Sequence, residues 1–329
     1  MAQLLASGTL LKNRYRIAGP IGQGGMGAVY RAEDTLLPGR ICAIKEINLG
    51  PDFGEEAAEQ LRLQFRQEAS ILARLDHPNL PKVSDYFGEG GREYLVMDYV
   101  AGSDLSMLVN EARHRGEFLP QSQVLAWAEQ LCDALTYLHT QSPPILHRDI
   151  KPSNIKLTPA NLIKLVDFGL VKILATDEER TITVVQGRGT AAYTPLEQYG
   201  DDETHTSIRS DIYALGATLY HLLTGVPPAT ARQRFLDPDA LVPPRLINPH
   251  ITPAVEAAIL QAMALHPNDR PPDVESFREL LLRPTPPLTR IRTSLRVEPQ
   301  PRLREALRRN LPWLAMATLL VAVAILLTP

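Results

Sequence analysis

His147-Arg148-Asp149-Ile150-Lys151-Pro152-Ser153-Asn154 is the stretch on which the reading of this 329-residue chain turns. Eight residues hold a carboxylate, a cation and a side-chain amide. Asp149 can take up a proton, Lys151 can steady an anion, and Asn154 offers a neutral oxygen to a hard cation. Read blandly, the octet is a polar turn, and the segments on either side of it decide between the two.

The length allows two lobes of roughly 100 to 200 residues each and an appendage. The net charge of -3, from 34 basic and 37 acidic side chains, supplies no global basic field, so nucleic acid is not an expected partner. The two cysteines, Cys42 and Cys132, lie far apart in apolar segments and match no zinc pattern, which points to packed thiols in a reducing compartment. The N-terminus lacks a basic region followed by a long apolar run, so the bulk of the chain is expected in the cytoplasm.

Upstream of the octet, Tyr15 to Ala32 reads as strand, tight turn and strand around Gly22, Gly24 and Gly27, a G-x-G-x-x-G. Glycine there lets a backbone approach phosphate oxygens closely. The same spacing opens a dinucleotide-binding fold, with Glu46 as the acidic residue about 20 positions on, but that fold needs a helix after the third glycine. Here a β-type run leads to Ile41-Cys42-Ala43-Ile44-Lys45 instead. Leu61, Phe65, Ala69, Leu72 and Leu75 then mark an amphipathic helix carrying Glu68 and closed by Pro78. Tyr94 to Gly102 is an apolar strand breaking at a glycine, and residues 121–139 have the spacing of a buried helix. Downstream, Ile163 to Val166 is a short strand delivering Asp167-Phe168-Gly169, and Ser210-Asp211 is read as the cap of a further apolar helix.

In this order the segments resemble the eukaryotic-type serine/threonine protein kinases, especially the bacterial ones, whose catalytic loop reads H-R-D-x-x-x-x-N. The resemblance implies an α+β, two-lobed protein kinase fold over residues 15–282: a small β-rich N-lobe (15–97) with one regulatory helix and a larger α-helical C-lobe (101–282). It implies transfer of the γ-phosphoryl of ATP to protein hydroxyls, with Mg2+, or Mn2+ in its place, as the metal. By resemblance Asp149 accepts the proton of the attacking hydroxyl and Lys151 steadies the γ-phosphate. Asn154 and Asp167 hold the metal, Lys45 grips the α- and β-phosphates, and Glu68 positions Lys45. Ile21, Val29 and Ala43 pack on the adenine beneath the Gly22, Gly24 and Gly27 loop, Met97 stands behind it, and the backbone of Asp98 and Val100 bonds to it. Phe168 packs on the regulatory helix and Gly169 permits the turn. Asp211 ties its helix to the catalytic-loop backbone.

Residues 170–197 correspond to the activation segment, in which Thr181 and Thr183 are the candidate phosphosites, with Arg148 and Lys172 to neutralise the added charge. Ordinary loop threonines are the alternative. Two departures stand out. Lys156 occupies the position of the usual aliphatic residue under the adenine, where its stem can serve while the ammonium reaches out. The closing A-P-E reads Pro195-Leu196-Glu197, which keeps Glu197 available to pair with Arg270.

Residues 283–310 read as a Pro/Arg-rich linker ending in Arg302, Arg304, Arg308 and Arg309. Leu311 to Leu327 is seventeen residues without a charge, about 26 Å as a helix, and the arginines before it place the kinase domain on the cytoplasmic side of a single-pass membrane anchor. A C-terminal helix docked into a soluble partner is the alternative. Expected partners are therefore protein substrates, ATP, the lipid bilayer through 311–327, and a homodimer of the kind relatives form. The rival to catalysis is a pseudokinase scaffold, which would need a lost Lys45, Asp149, Asn154 or Asp167; all four are present. A small-molecule kinase would lack an activation segment of this pattern.

Overall fold

The computed structural model describes residues 4–24, 27–47, 55–167, 191–199 and 206–282. The chain divides into two units, 1–284 and 285–329, and the second lies outside the described residues. So do Phe168, Gly169, Lys172, Thr181, Thr183, the whole 283–310 linker and the 311–327 segment. Among the described residues no helix is long and apolar enough to cross a membrane.

The N-lobe is an antiparallel sheet of six strands: β1 (Leu10–Leu11), β2 (Tyr15–Gly24), β3 (Gly27–Asp34), β4 (Ile41–Ile47), β5 (Val83–Glu89) and β6 (Arg92–Asp98). Their spatial order is β1-β2-β3-β4-β6-β5. Strand alternation divides the residues between two faces. Tyr15, Ile17, Tyr30, Cys42, Ile44, Phe87, Tyr94 and Val96 form the core of one face. Because Val29 pairs with Lys45, Lys45 with Leu95, and Ala43 with Met97, these residues share the opposite face. α1 (Glu55–Leu72) lies on that side, its Phe65 ring 5.6 Å from the ring of Tyr86. The helix begins at Glu55, earlier than its apolar stripe, because Glu and Ala, which fill its opening, have high intrinsic helix propensity. It also ends at Leu72, six residues before the proline expected to close it.

The C-lobe begins with a small antiparallel sheet, β7 (Ser103–Asp104), β8 (Ile155–Leu157) and β9 (Ile163–Leu165), in that order. The helices around it are α2 (Leu105–His114), α3 (Gln121–His139), α4 (Ile208–Thr224), α5 (Ala231–Leu236), α6 (Pro244–Ile247), α7 (Pro253–Ala262) and α8 (Val274–Leu282). α4 is buried on all sides, as a helix apolar all round must be, and it forms the axis of the lobe. Its cap is Ser207, not Ser210: the two serines form a reciprocal capping box, so Ser210 and Asp211 lie inside the first turn. Trp127 and Cys132 of α3 are core residues, and both cysteines are free and buried.

Candidate active site

The catalytic-loop octet leaves α3 and turns over the start of α4. Asp211, fully buried, accepts the backbone N–H of Arg148 on Oδ1 at 2.8 Å and that of His147 on Oδ2 at 2.9 Å. His139 Nε2 lies 2.9 Å from the same Oδ2. Burial pushes the Asp211 carboxyl up, but hydrogen bonding from His139 and the charges around it prevail and hold it below the ordinary value. Arg148 has φ of +65°, a left-handed conformation that costs a non-glycine residue about 1–3 kcal/mol and persists only where the surroundings dictate it. The two hydrogen bonds to Asp211 flank that residue and supply the constraint.

The strained turn directs Asp149 outward from a fixed base. Asn154 Nδ2 donates to the Asp149 carbonyl at 2.8 Å and to Oδ2 at 2.9 Å, and Lys151 Nζ donates to Oδ2 at 2.8 Å. Oδ1 has no hydrogen-bond partner among the described residues. One carboxylate oxygen is thus locked and the other is left as an acceptor. With its Nδ2 committed to Asp149, Asn154 presents its amide oxygen as the remaining ligand atom.

Asp167 arrives from β9. The Val166 N–H donates to the Asn154 carbonyl at 2.8 Å, and Asn79 braces the strand by donating to the Ile163 carbonyl at 2.8 Å while accepting from the Leu165 N–H at 2.8 Å. Asn79, a buried residue after His77-Pro78, was not legible as part of the site, since only its long-range partners reveal its job. Asp167 also has positive φ, +61°. Its carboxylate takes a hydrogen bond and ion pair from Lys45. Burial raises the Asp167 pKa, but the charge and hydrogen bond of Lys45 outweigh it, so the group is held below the ordinary carboxylate range.

Among the described residues no group of three His, Cys, Asp or Glu side chains forms a metal cage. A carboxylate kept ionised at Asp167 and an amide oxygen at Asn154 are instead the sparse hard-oxygen set that suits a cation completing its shell with water and substrate phosphates. Gly27 belongs to the roof: a Cβ there would stand 1.9 Å from the Glu46 carbonyl oxygen, so only glycine fits between β3 and β4. Val29, Ala43 and Met97 share the sheet face of Lys45, with Ile21 exposed near the strand turn. Asp98 ends β6 and Val100 follows just beyond the ladder. A small pocket beside Met97 is lined by that residue with Lys45, Leu72, Leu75, Pro81, Val83, Leu95 and Asp167. Lys156, half-buried, stands in register with Asp104 and Lys164, on the face of β8 opposite to the core residue Ile155. Glu68 lies on α1, but its side chain is outside the described residues.

The segment below the site closes on Glu197. Arg270 donates to Glu197 Oε1 at 2.6 Å and Oε2 at 3.0 Å, and further to the carbonyls of Ala264, Leu265 and Arg209. Tyr193 OH and His221 Nδ1 are 2.7 Å apart in the buried layer beside it. Neither this pair nor His139 carries a signal in the sequence that sets it apart from core packing.

Residues 15–249 match the protein kinase domain family. The chain belongs to this family. As a kinase-family chain it is 36% identical over 269 residues to a probable serine/threonine-protein kinase of Clostridium acetobutylicum, a match spanning 80% of this chain and 38% of that protein. It is 33% identical to the serine/threonine-protein kinase PknB of Mycobacterium leprae, over 83% of this chain and 43% of that one. The chain thus spans about two fifths of the length of the curated relatives it matches. Among solved structures, the apo form of PpkA-294 superposes with a TM-score of 0.70 at 31% identity, covering 85% of this chain and all of that one. The PknI kinase domain of Mycobacterium tuberculosis gives 0.61 at 28% identity, over 84% of this chain and 98% of its own.

Proposed function

We propose that this chain is a serine/threonine protein kinase that transfers the γ-phosphoryl of Mg-ATP to protein hydroxyls. The observation that carries the reading is the split role of the Asp149 carboxylate. Oδ2 is fixed by Lys151 and Asn154, while Oδ1, though buried, has no hydrogen-bond partner among the described residues. In the reaction a substrate hydroxyl donates its hydrogen bond to Oδ1, and Asp149 takes the proton as the oxygen attacks phosphorus. Lys151 holds the Asp149 carboxylate in line and brings positive charge to the transferred group. Lys45 moves from Asp167 to share its charge with the nucleotide phosphates. Mg2+, when bound by Asp167 and Asn154, neutralises charge on the phosphates.

The choice of serine and threonine rests on Lys151 of the catalytic loop and Thr190 of the activation segment, both by resemblance features of the serine/threonine branch, and on the kinship with chains named serine/threonine-protein kinases. Thr181 and Thr183 are the expected autophosphorylation sites. The charge-free stretch Leu311 to Leu327 behind Arg308 and Arg309 supports a membrane anchor with the kinase domain on the cytoplasmic face. The test is transfer of labelled phosphate from Mg-ATP to a basic protein substrate by the full chain. Asp149→Asn should lower kcat by about 10³-fold or more while nucleotide still binds. Undiminished transfer by that variant would overturn the assignment.

A further inference from the structure

The packed stripe of α1 runs through Phe65, Ala69 and Leu72, all buried, and one turn earlier the same stripe carries Arg62. An arginine among packing positions needs a reason, and the sheet supplies one. Glu93 on β6 pairs with Ile47 of β4 and so faces the α1 side, with only 8% of its surface exposed. Its Oε1 lies 3.8 Å from Arg62 Nε, and its Oε2 accepts the Tyr86 hydroxyl at 2.6 Å. The ring of Tyr86 in turn packs on Phe65, the next residue of the stripe.

Gly88 shows that the carboxylate has a prepared seat. It stands opposite Glu93 in the β5–β6 register, and a Cβ there would lie 3.0 and 3.2 Å from the two carboxylate oxygens. Its φ is not in the left-handed region, so what glycine contributes here is room beside the carboxylate, which an added Cβ would displace by a few tenths of an ångström. A buried carboxylate is costly when its cation is withdrawn, whereas Arg62, a third exposed, can be solvated elsewhere. The asymmetry favours the helix staying where Arg62 reaches Glu93.

We infer that Glu93 is a positioning residue: through Arg62 it holds the N-terminal half of α1, the helix on which Glu68 lies, against the sheet that carries Lys45. The inference rests on the kinase reading above. Glu93 touches no substrate; it fixes the helix and Gly88 fixes Glu93. Arg62 also reaches Glu59 at 3.1 Å within the helix, an exposed contact that moves with α1 and therefore cannot anchor it.

The test compares the full chain with Arg62→Gln, Glu93→Gln, the double variant and Gly88→Ala, reading amide hydrogen exchange in α1 and α3 together with kcat and KM for Mg-ATP. Each single variant should raise exchange of residues 59–70 by about fivefold, with α3 unchanged, and lower kcat/KM for ATP by a similar factor. The double variant should be no worse than the worse single. Gly88→Ala keeps both charged partners and should reproduce the effect by displacing the carboxylate. Unchanged α1 exchange, additive losses in the double, or a rise spread equally over α3 would each overturn the inference. Arg62→Gln, a surface change, keeps the test valid if Glu93→Gln fails to fold. Absence of phosphoryl transfer in the wild type would count against the kinase reading, while the exchange data would still decide the role of Glu93.

Discussion

Asp211→Asn is the perturbation that most directly probes how the catalytic loop is built. The substitution keeps size and shape but replaces one carboxylate oxygen by an NH2. The two oxygens now accept from the Arg148 and His147 N–H groups, with His139 Nε2 against the second. Whichever way the amide turns, a donor faces a buried donor, and an unsatisfied buried N–H costs about 1–3 kcal/mol. The hydrogen bonds that survive lose their charge assistance, and the left-handed Arg148 loses part of what holds it. The loss of stability should be about 3 kcal/mol, or about 6–12 °C in Tm for a domain of this size. Relaxation of Arg148 moves the adjacent Asp149, and a misplacement of about 1 Å costs about 10²-fold in rate. Urea denaturation followed by circular dichroism and steady-state kinetics should therefore show the stability loss together with a large fall in kcat. KM for ATP should change less, because Lys45 and the glycine loop belong to the other lobe. Stability within about 0.5 kcal/mol of wild type, with kcat unchanged, would refute the reasoning.

Arg270→Met should cost about 3–5 kcal/mol in thermal or urea unfolding, because it strands the buried Glu197 carboxylate and three backbone carbonyls. A loss below about 1 kcal/mol would show that the pair is not what closes the segment. Burial, with help from the Arg113 charge, presses the His221 pKa down from 6.5 to about 4. The unfolded chain therefore takes up this proton first, and the stability from a neutral His221 is lost as pH falls from about 6.5 toward 4. Between pH 7 and 5 wild type should lose about 2 kcal/mol more than His221→Gln in urea titrations. An offset between the two that does not change with pH would contradict it.

Much of the candidate site was legible because its geometry is compressed into short stretches. Asp149, Lys151 and Asn154 interact across two to five residues, and the spacing that makes the pattern recognisable is the spacing that lets Asn154 bond back to Asp149. The buried helix at residues 121–139 was equally plain, since its apolar positions cover most of its surface. Three kinds of feature were hidden. Reciprocal caps conceal which serine is outermost, so Ser210 looked like the cap that Ser207 is. The opening of α1 is rich in Glu and Ala and carries no apolar period, so its extension back to Glu55 was not visible in the spacing. Polar braces such as Asn79 and His139, and Glu93 where it meets Arg62, reach partners far away in sequence and look like ordinary loop, helix or strand residues until the fold assembles them.

The measurement that tests the central claim most directly is incubation of the purified full chain with Mg-ATP and mapping of the phosphates, beside Asp149→Asn. Phosphate is expected on threonine or serine, with Thr181 and Thr183 foremost, in the wild type alone. No incorporation despite measurable ATP binding, or equal labelling of the variant, would contradict it.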